Sequence, residues 1–477
     1  MIGSRTLLWD TARLLGVNTF ARGVGIVALI AYARMLSPSD LAALPVFLIL
    51  ATFSTIPFSF GLYPTLIREV PKLLLEDESQ ALGMIRTVVL TVGGGVLIAA
   101  AAYWMLSPAI ARAYFDAADS AWLVRWMAAG TIARGWDEVI TFVLRATREY
   151  RLLASKKLVS ELAQPLLAVP LTYVMGTRGL LLGLTTGLAL GIIWAVWGTR
   201  RYIFRRTRSL PLGPLVRRSW PYYIEGFLFF LTQQGDQALV GALLAPPVLA
   251  AYYVARRIPD ALGLILYSVE EVMGSTLARA AVDGTHAIAR AFRTMALVLG
   301  VFVLPASALA ASLAGAYVTL AGRVNYAFAL PAIVVLALAT IPQAGVTVTS
   351  QAALALGHPS DRLKITALFA GLLLAFTLIS TRLGLNAVAI GRAMAIVLSA
   401  TAGFWITRSF RPQLPWRDLG RFLLPTILLV VTTVGLDVIF GQQWLVPLCA
   451  LAGCGVFAAT AYFLLSPRQR AELGSWA

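Results

Sequence analysis

The sequence predicts an all-α membrane protein that crosses the bilayer about fourteen times. Hydrophobic residues make up 59% of its 477 residues and charged residues only 13%, and the mean hydropathy is +0.80. Soluble globular proteins carry about 25% charged residues, so a chain with half that fraction cannot cover its surface with polar groups in water. A bilayer is itself an apolar solvent, and helices satisfy their own backbone hydrogen bonds within it.

Fourteen apolar stretches approach the roughly 20 residues that a helix needs to cross the hydrocarbon core. The candidate spans are residues 12–34, 41–65, 85–107, 120–144, 155–176, 179–198, 219–244, 248–278, 287–314, 325–356, 363–381, 384–407, 420–440 and 443–465. The segments between them are short, and the longest polar stretch runs from Thr199 to Trp220. The sequence therefore leaves no room for a soluble catalytic domain.

The distribution of basic residues predicts the orientation in the membrane, because cytoplasmic loops hold excess Lys and Arg. With the N-terminus in the cytoplasm, the cytoplasmic segments hold 28 of the 39 basic residues, including Lys156 and Lys157, while the opposite side holds five. The first apolar segment also lacks a small-residue cleavage site, so we expect it to be a span and not a signal peptide. Both termini are predicted to be cytoplasmic.

An internal repeat divides the predicted spans into two sets. Residues 36–46 align without gaps with residues 244–254, and six of the eleven positions are identical. Similarity by chance is the alternative in Ala/Leu-rich segments, but both stretches lead from the first span of a set into the second. Six spans per repeat give both repeats one orientation, and in transporters of this kind the substrate site lies between the halves. The predicted organisation is two six-helix lobes, 1–198 and 219–412, a basic linker, 199–218, and two extra helices, 413–477.

Several short motifs occur in the order and spacing of one known family. They are Asn18 with Arg22, the run Ala33-Arg-Met-Leu-Ser-Pro-Ser-Asp40, Gly61-Leu-Tyr-Pro-Thr-Leu-Ile-Arg68, Asp236-Gln-Ala-Leu-Val-Gly241 and Ala251-Tyr-Tyr-Val-Ala-Arg-Arg-Ile258. The chain resembles the polysaccharide flippases (Wzx-type) of the multidrug/oligosaccharidyl-lipid/polysaccharide exporter (MOP) superfamily. It departs from the family pattern at one position, Ala42 or Ala43, where a glycine is usual. The resemblance implies two lobes around a central cavity, alternating access, a bacterial inner membrane and export of a lipid-linked sugar.

Charged residues inside the predicted spans are the candidate functional residues, because a charge at the bilayer centre costs about 2.5–3.5 kcal/mol on insertion scales. They fall on the first, fourth, seventh and eighth spans, which we expect to line the cavity. A polyprenyl-pyrophosphate carries two negative charges, and guanidinium groups grip phosphate bidentately. Substrate binding is therefore predicted for Arg22, Arg134, Arg256 and Arg257, with Asn18 on the same helix face as Arg22. The alternative is internal pairing, for example of Arg134 with Glu138 and of Arg256 with Asp260.

The acidic residues of the same spans are candidates for coupling transport to Na⁺ or H⁺, or for gating. They are Glu225, Asp236, Asp137, Glu138, Asp260 and Glu270. In the seventh span, Glu225 and Asp236 are predicted to share one helix face. Structural ion pairs are the alternative for most of these residues.

No cofactor, metal or nucleic acid is predicted. None of the four lysines fits a P-loop, and His286 and His358 lack Cys, Asp or Glu at ligand spacing. The net charge of +17 is interleaved with apolar runs, so membrane lipids are more plausible partners for it than nucleic acid.

Three functions remain in competition at this point. The leading one is flipping of a lipid-linked oligosaccharide, with lipid II as an alternative substrate. A cation-coupled multidrug antiporter of the same superfamily needs an acidic cavity, which four arginines disfavour. A membrane glycosyltransferase needs large extracytoplasmic loops with catalytic acids, and the loops here are short.

Overall fold

The computed structural model describes residues 4–115, 118–203, 205, 207, 209–282, 285–355, 357–410, 422–440, 452, 454, 455 and 457. Regular secondary structure within these ranges is helical throughout, without strands. The predicted all-α class is confirmed.

The α-helices follow one another with short connections. They are α1 (Ser4–Met35), α2 (Pro38–Leu41), α3 (Ala43–Ser59), α4 (Leu62–Glu76), α5 (Glu78–Met105), α6 (Ser107–Phe115), α7 (Ala121–Ala146), α8 (Tyr150–Met175), α9 (Thr177–Ile203), α10 (Leu212–Phe230), α11 (Asp236–Leu243), α12 (Pro246–Val282), α13 (Thr285–Ser312), α14 (Ala314–Tyr326), α15 (Leu330–Ala355), α16 (Pro359–Ser380), α17 (Leu385–Ile406) and α18 (Leu423–Phe440). A π-helical turn, Leu231–Gly235, joins α10 to α11.

Eight helices in the described part of the chain are long and apolar enough to cross a membrane. They coincide with predicted spans two, three, five, six and nine to twelve. The first and thirteenth spans correspond to shorter apolar helices, Gly23–Met35 and Leu423–Val434. The fourth, seventh and eighth spans are helical but carry the charged candidate residues, and only four residues of the fourteenth are described. The count of fourteen therefore stays a prediction.

The predicted span 41–65 is two helices, not one. The chain takes a left-handed turn at Phe60 (φ 44°) and Gly61 (φ 69°), which ends α3 and starts α4 in a new direction. A Cβ at Gly61 would overlap the carbonyl oxygen of Ser219, and the hydroxyls of Ser219 and Thr65 are hydrogen-bonded at 2.8 Å. The glycine thus allows both the turn and the close approach of α10 to α4.

A row of glycines fixes the packing of α8 against α9. Gly179, Gly183, Gly187 and Gly191 recur every four residues, so they form one stripe on α9. A Cβ at any of them would overlap α8, and at the first three the overlapped atoms include the backbone of Leu171, Ala168 and Gln164. Small residues permit this close helix contact in membranes, where helices associate through van der Waals packing.

The helices form two compact units, Met1–Tyr253 and Val254–Ala477. This boundary differs from the predicted lobes because α10 and α11 pack with α3 and α4 inside the first unit. The predicted lobes were defined by an internal repeat and not by contacts, so their bounds stay a prediction.

The described part of the predicted linker 199–218 is held against α5. Arg205 pairs with Glu78, Arg86 donates to the carbonyl of Thr207 at 2.6 Å, and Thr87 donates to that of Leu210 at 3.0 Å. The linker is therefore docked on a helix of the first unit.

Candidate functional site

A buried ion pair joins α7 to α8. The ammonium of Lys156 lies 2.6 Å from Oδ1 of Asp137, and only 1% of the Lys156 surface and 8% of the Asp137 surface are exposed. The ammonium also donates to the carbonyl oxygen of Asp137 at 3.0 Å and to the Thr141 hydroxyl at 2.6 Å. These partners are required, because burying an isolated charge among apolar helices costs free energy.

Two more charges of α7 flank this pair. The guanidinium of Arg134 approaches Oδ2 of Asp137 at 3.9 Å, and 44% of the Arg134 side chain is exposed. The half-buried Glu138 carboxylate interacts with Arg134 and with the hydroxyl of Thr55 on α3. Arg134 therefore leaves much of its side chain exposed while its acidic neighbours interact with it.

Asp236 follows the π-helical turn that ends at Gly235 and is fully buried. Its Oδ1 accepts the backbone N–H of Gln237 at 2.9 Å, and its Oδ2 accepts the hydroxyl of Tyr252 at 2.5 Å. A π turn inserts about one extra residue, which rotates the following helix by about 100°. The expected common face of Glu225 and Asp236 is therefore wrong, and Glu225 remains partly exposed on α10.

Replacing Tyr252 with phenylalanine is expected to lower the thermal unfolding midpoint of the purified protein. The change removes a hydroxyl donor from a buried carboxylate, and hydrogen bonds to charged groups contribute about 1.5–3 kcal/mol. Tyr173→Phe, at a residue with 80% exposure, serves as the control. Equal midpoints for the two variants would contradict a stabilising Tyr252–Asp236 bond.

A second charged group lies on α12, in the second unit. Arg256 is 2% exposed, and its guanidinium lies 3.3 Å from Oδ1 of Asp260. Arg257 approaches Oδ2 of the same carboxylate at 3.9 Å. The internal pair Arg256–Asp260, considered as the alternative to substrate binding, is thus present in the structure, with Arg257 more open than Arg256.

The side chains of three predicted site residues are not among those that the structure describes. Asn18 and Arg22 belong to α1 and Glu270 belongs to α12, but their side chains lie outside the described residues. The structure therefore brings together Arg134, Asp137 and Glu138 in one unit and Arg256, Arg257 and Asp260 in the other. A single cavity lined by both sets stays a prediction.

Sequence reasoning missed two buried basic residues. Lys156 was assigned to a cytoplasmic segment, whereas α8 begins at Tyr150 and carries Lys156 into the helix packing. Arg392, within α17, is 5% exposed. A signal existed for Arg392, since it lies in the middle of an apolar span. For Lys156 the two-residue basic run and Arg151 resemble the cytoplasmic end of a helix, so hydropathy alone could not identify it.

Comparison with known proteins identifies a matching family and structures with a similar fold. The sequence profile described as polysaccharide biosynthesis protein matches residues 31–323. The lipid II flippase MurJ in an inward closed conformation aligns with a TM-score of 0.73 at 11% identity, over 94% of this chain and 98% of MurJ. An inward-facing MATE multidrug resistance transporter aligns with a TM-score of 0.69 at 15% identity, over 82% and 94%.

A third structure, a MOP superfamily transporter from Pyrococcus furiosus described for the reverse polarity of its binding pocket, aligns with a TM-score of 0.58. The two sequences are 14% identical, and the alignment covers 84% of this chain and 95% of the Pyrococcus furiosus chain. No curated protein sequence matches the chain.

The helical fold and the charged residues on otherwise apolar helices define a multi-pass membrane protein with the architecture of MOP superfamily transporters. Within that class, the family match covers most of the chain. The chain belongs to the polysaccharide biosynthesis protein family.

Proposed function

We propose that the protein flips a polyprenyl-pyrophosphate-linked oligosaccharide across the cytoplasmic membrane by alternating access. The observation that carries this proposal is Arg134, a guanidinium in the middle of a helix of the bundle with 44% of its side chain exposed. A permanently charged group in that position is costly unless it binds something. A pyrophosphate matches it in sign and in bidentate geometry, and the family match supports a substrate from polysaccharide biosynthesis.

Arg257 and Arg256 are proposed as a second anion-binding group, with Asp260 orienting both guanidinium groups. Asn18 and Arg22, at i and i+4 on α1, are proposed to complete the set on the basis of helix spacing. The sugar would be held by other contacts, and the proposal commits only to the charged head group.

Two of the described acidic residues, Asp137 and Asp260, favour an anionic substrate over a cationic drug. Asp137 is paired with Lys156, and Asp260 with Arg256, so their charges are already neutralised by basic side chains. A multidrug antiporter would need such carboxylates to face a cation. Lipid II carries the same pyrophosphate chemistry, and therefore it remains the second candidate substrate.

Coupling to a gradient of Na⁺ or H⁺ is proposed for Glu225 on α10, Asp236 on α11 and Glu270 on α12. The proposed location is the inner membrane with both termini in the cytoplasm, supported by the 28-to-five distribution of basic residues.

The direct experiment is depletion of the protein from its host, followed by labelling with a sugar precursor. We expect polyprenyl-linked saccharide to accumulate in the cytoplasmic leaflet while surface polymer falls. Accumulation of lipid II instead would assign the second substrate. Unchanged lipid-linked pools together with lost resistance to cationic drugs would overturn the proposal.

Complementation with Arg134→Ala is expected to restore about 1–10% of the wild-type flux. Loss of a charged hydrogen bond costs about 1.5–3 kcal/mol, which corresponds to about tenfold to hundredfold. Arg382→Ala is the matched control, since Arg382 is exposed in the short turn Thr381–Leu383. Flux is measured as surface polymer per unit of folded protein in the membrane, and full activity of Arg134→Ala would exclude this residue from the substrate site.

A further inference from the structure

Three oxygen atoms of α7 converge on the ammonium group of Lys156. They are Asp137 Oδ1 at 2.6 Å, the Asp137 carbonyl oxygen at 3.0 Å and Thr141 Oγ1 at 2.6 Å. A carboxylate, a carbonyl and a hydroxyl are the oxygen ligands that hard metal cations take in proteins. The ammonium thus occupies a position with the chemistry of a cation site.

The ammonium of Lys156 is the close positive charge at the Asp137 carboxylate, at 2.6 Å, whereas the guanidinium of Arg134 lies 3.9 Å from it. Among the described side chains, Arg134 and Lys156 face Asp137 and Glu138, two positive and two negative groups. Further along α8, Lys157 and Glu161 add one charge of each sign, with Arg145 near Lys157. Removal of the ammonium would leave Asp137 with only the more distant Arg134, which also interacts with Glu138, as its positive neighbour on α7, and one monovalent cation would restore the lost close charge.

The oxygens and the ammonium are positioned independently of each other. Asp137 and Thr141 lie one turn apart on α7, and the Thr141 hydroxyl also donates to the Asp137 carbonyl at 2.8 Å. Lys156 reaches them from α8, whose place is fixed by the glycine stripe of α9. The carbonyl and the hydroxyl therefore hold each other in place on α7 without Lys156, and the Asp137 carboxylate belongs to the same helix turn.

We propose that α7 carries a monovalent-cation site, formed by Asp137 and Thr141, that the ammonium of Lys156 occupies permanently. In the native protein this site takes no free Na⁺, and Asp137 is a structural partner of Lys156, not a coupling residue. The inference concerns the first unit alone and stands without any assumption about the transported substrate.

The test removes the ammonium from the site by substitution and then adds Na⁺. Lys156→Met and Lys156→Ala are purified in detergent, and thermal midpoints are measured in equimolar sodium chloride or N-methylglucamine chloride at mildly alkaline pH. We expect Na⁺ to raise the midpoint of either variant by about 1–3 °C more than it raises that of the native protein, when the Na⁺ concentration is about ten times the dissociation constant.

Two controls make the result specific. Adding Asp137→Asn to Lys156→Met removes the carboxylate, so the extra response to Na⁺ should disappear. Lys157→Met, which changes the adjacent lysine, should respond to Na⁺ as the native protein does. The proposal is overturned if neither variant gains a response to Na⁺, or if neither folds in Na⁺ while the double variant does. Because no substrate is present, failure here leaves the flippase proposal standing, and loss of flipping leaves this one standing.

Discussion

Lys156→Met is expected to destabilise the protein in the absence of added Na⁺ by about 3–5 kcal/mol. This is the usual cost of removing one partner of a buried ion pair, because the other charge stays behind without compensation. Asp137 has only 12% of its side chain exposed, so solvent compensates its charge poorly. The measurement is the thermal midpoint of the purified protein in detergent.

A double-mutant cycle separates the energy of the Lys156–Asp137 contact from the effects of the two single substitutions. Lys156→Met combined with Asp137→Asn removes both charges, and we expect this variant to be more stable than Lys156→Met alone, because no charge is left uncompensated. Lys157→Met is the matched control, since it deletes a half-buried lysine one residue away. Additive effects of the two substitutions would show that the close contact at 2.6 Å contributes nothing.

Gly183→Leu is expected to produce the second large effect, a loss of folded protein from the membrane. A Cβ at Gly183 would overlap the backbone of Ala168, which cannot rotate away. Overpacking typically costs about 1–3 kcal/mol, and we expect a value at or above the upper end, because α8 as a whole must move. The readout is the yield of monodisperse protein after extraction, together with its thermal midpoint.

Gly94→Leu is the matched control for this substitution. Gly94 also lies in the middle of a helix, but a Cβ there meets no atom within 4 Å. Adding a side chain at an open helical position should be neutral or favourable, since glycine is intrinsically destabilising in helices. Comparable yields for both variants would show that the glycine stripe of α9 is not a tight contact.

Hydropathy predicted the positions of eight spans, and in each case the helix in the structure overlaps the predicted segment. Hydropathy can predict these spans because the length of an apolar segment depends only on consecutive residues. The turn at Phe60–Gly61 was not predictable in the same way. Phenylalanine rarely adopts a positive φ, and here the packing of α4 against α10 accompanies that conformation.

In the candidate site, too, local spacing predicted some contacts and tertiary packing alone decided others. Arg256 and Asp260 could be paired from the sequence because residues four apart on a helix are neighbours, and the structure confirms the pair at 3.3 Å. The partner of Asp137 lies on another helix, at Lys156, and no spacing rule connects them. The π turn before Asp236 likewise left no pattern in the sequence, so the predicted face shared with Glu225 was wrong.

By itself the sequence determined the solvent, the helical class, the family resemblance and the helices that carry charge, because composition and local spacing encode these properties. Tertiary structure alone decided which charges neutralise each other. A buried charge is tolerated only beside an opposite charge or a hydrogen-bond partner, and helix packing selects that partner. Lys156 therefore passed from a presumed cytoplasmic loop residue to the counter-ion of Asp137 only when α8 was placed against α7.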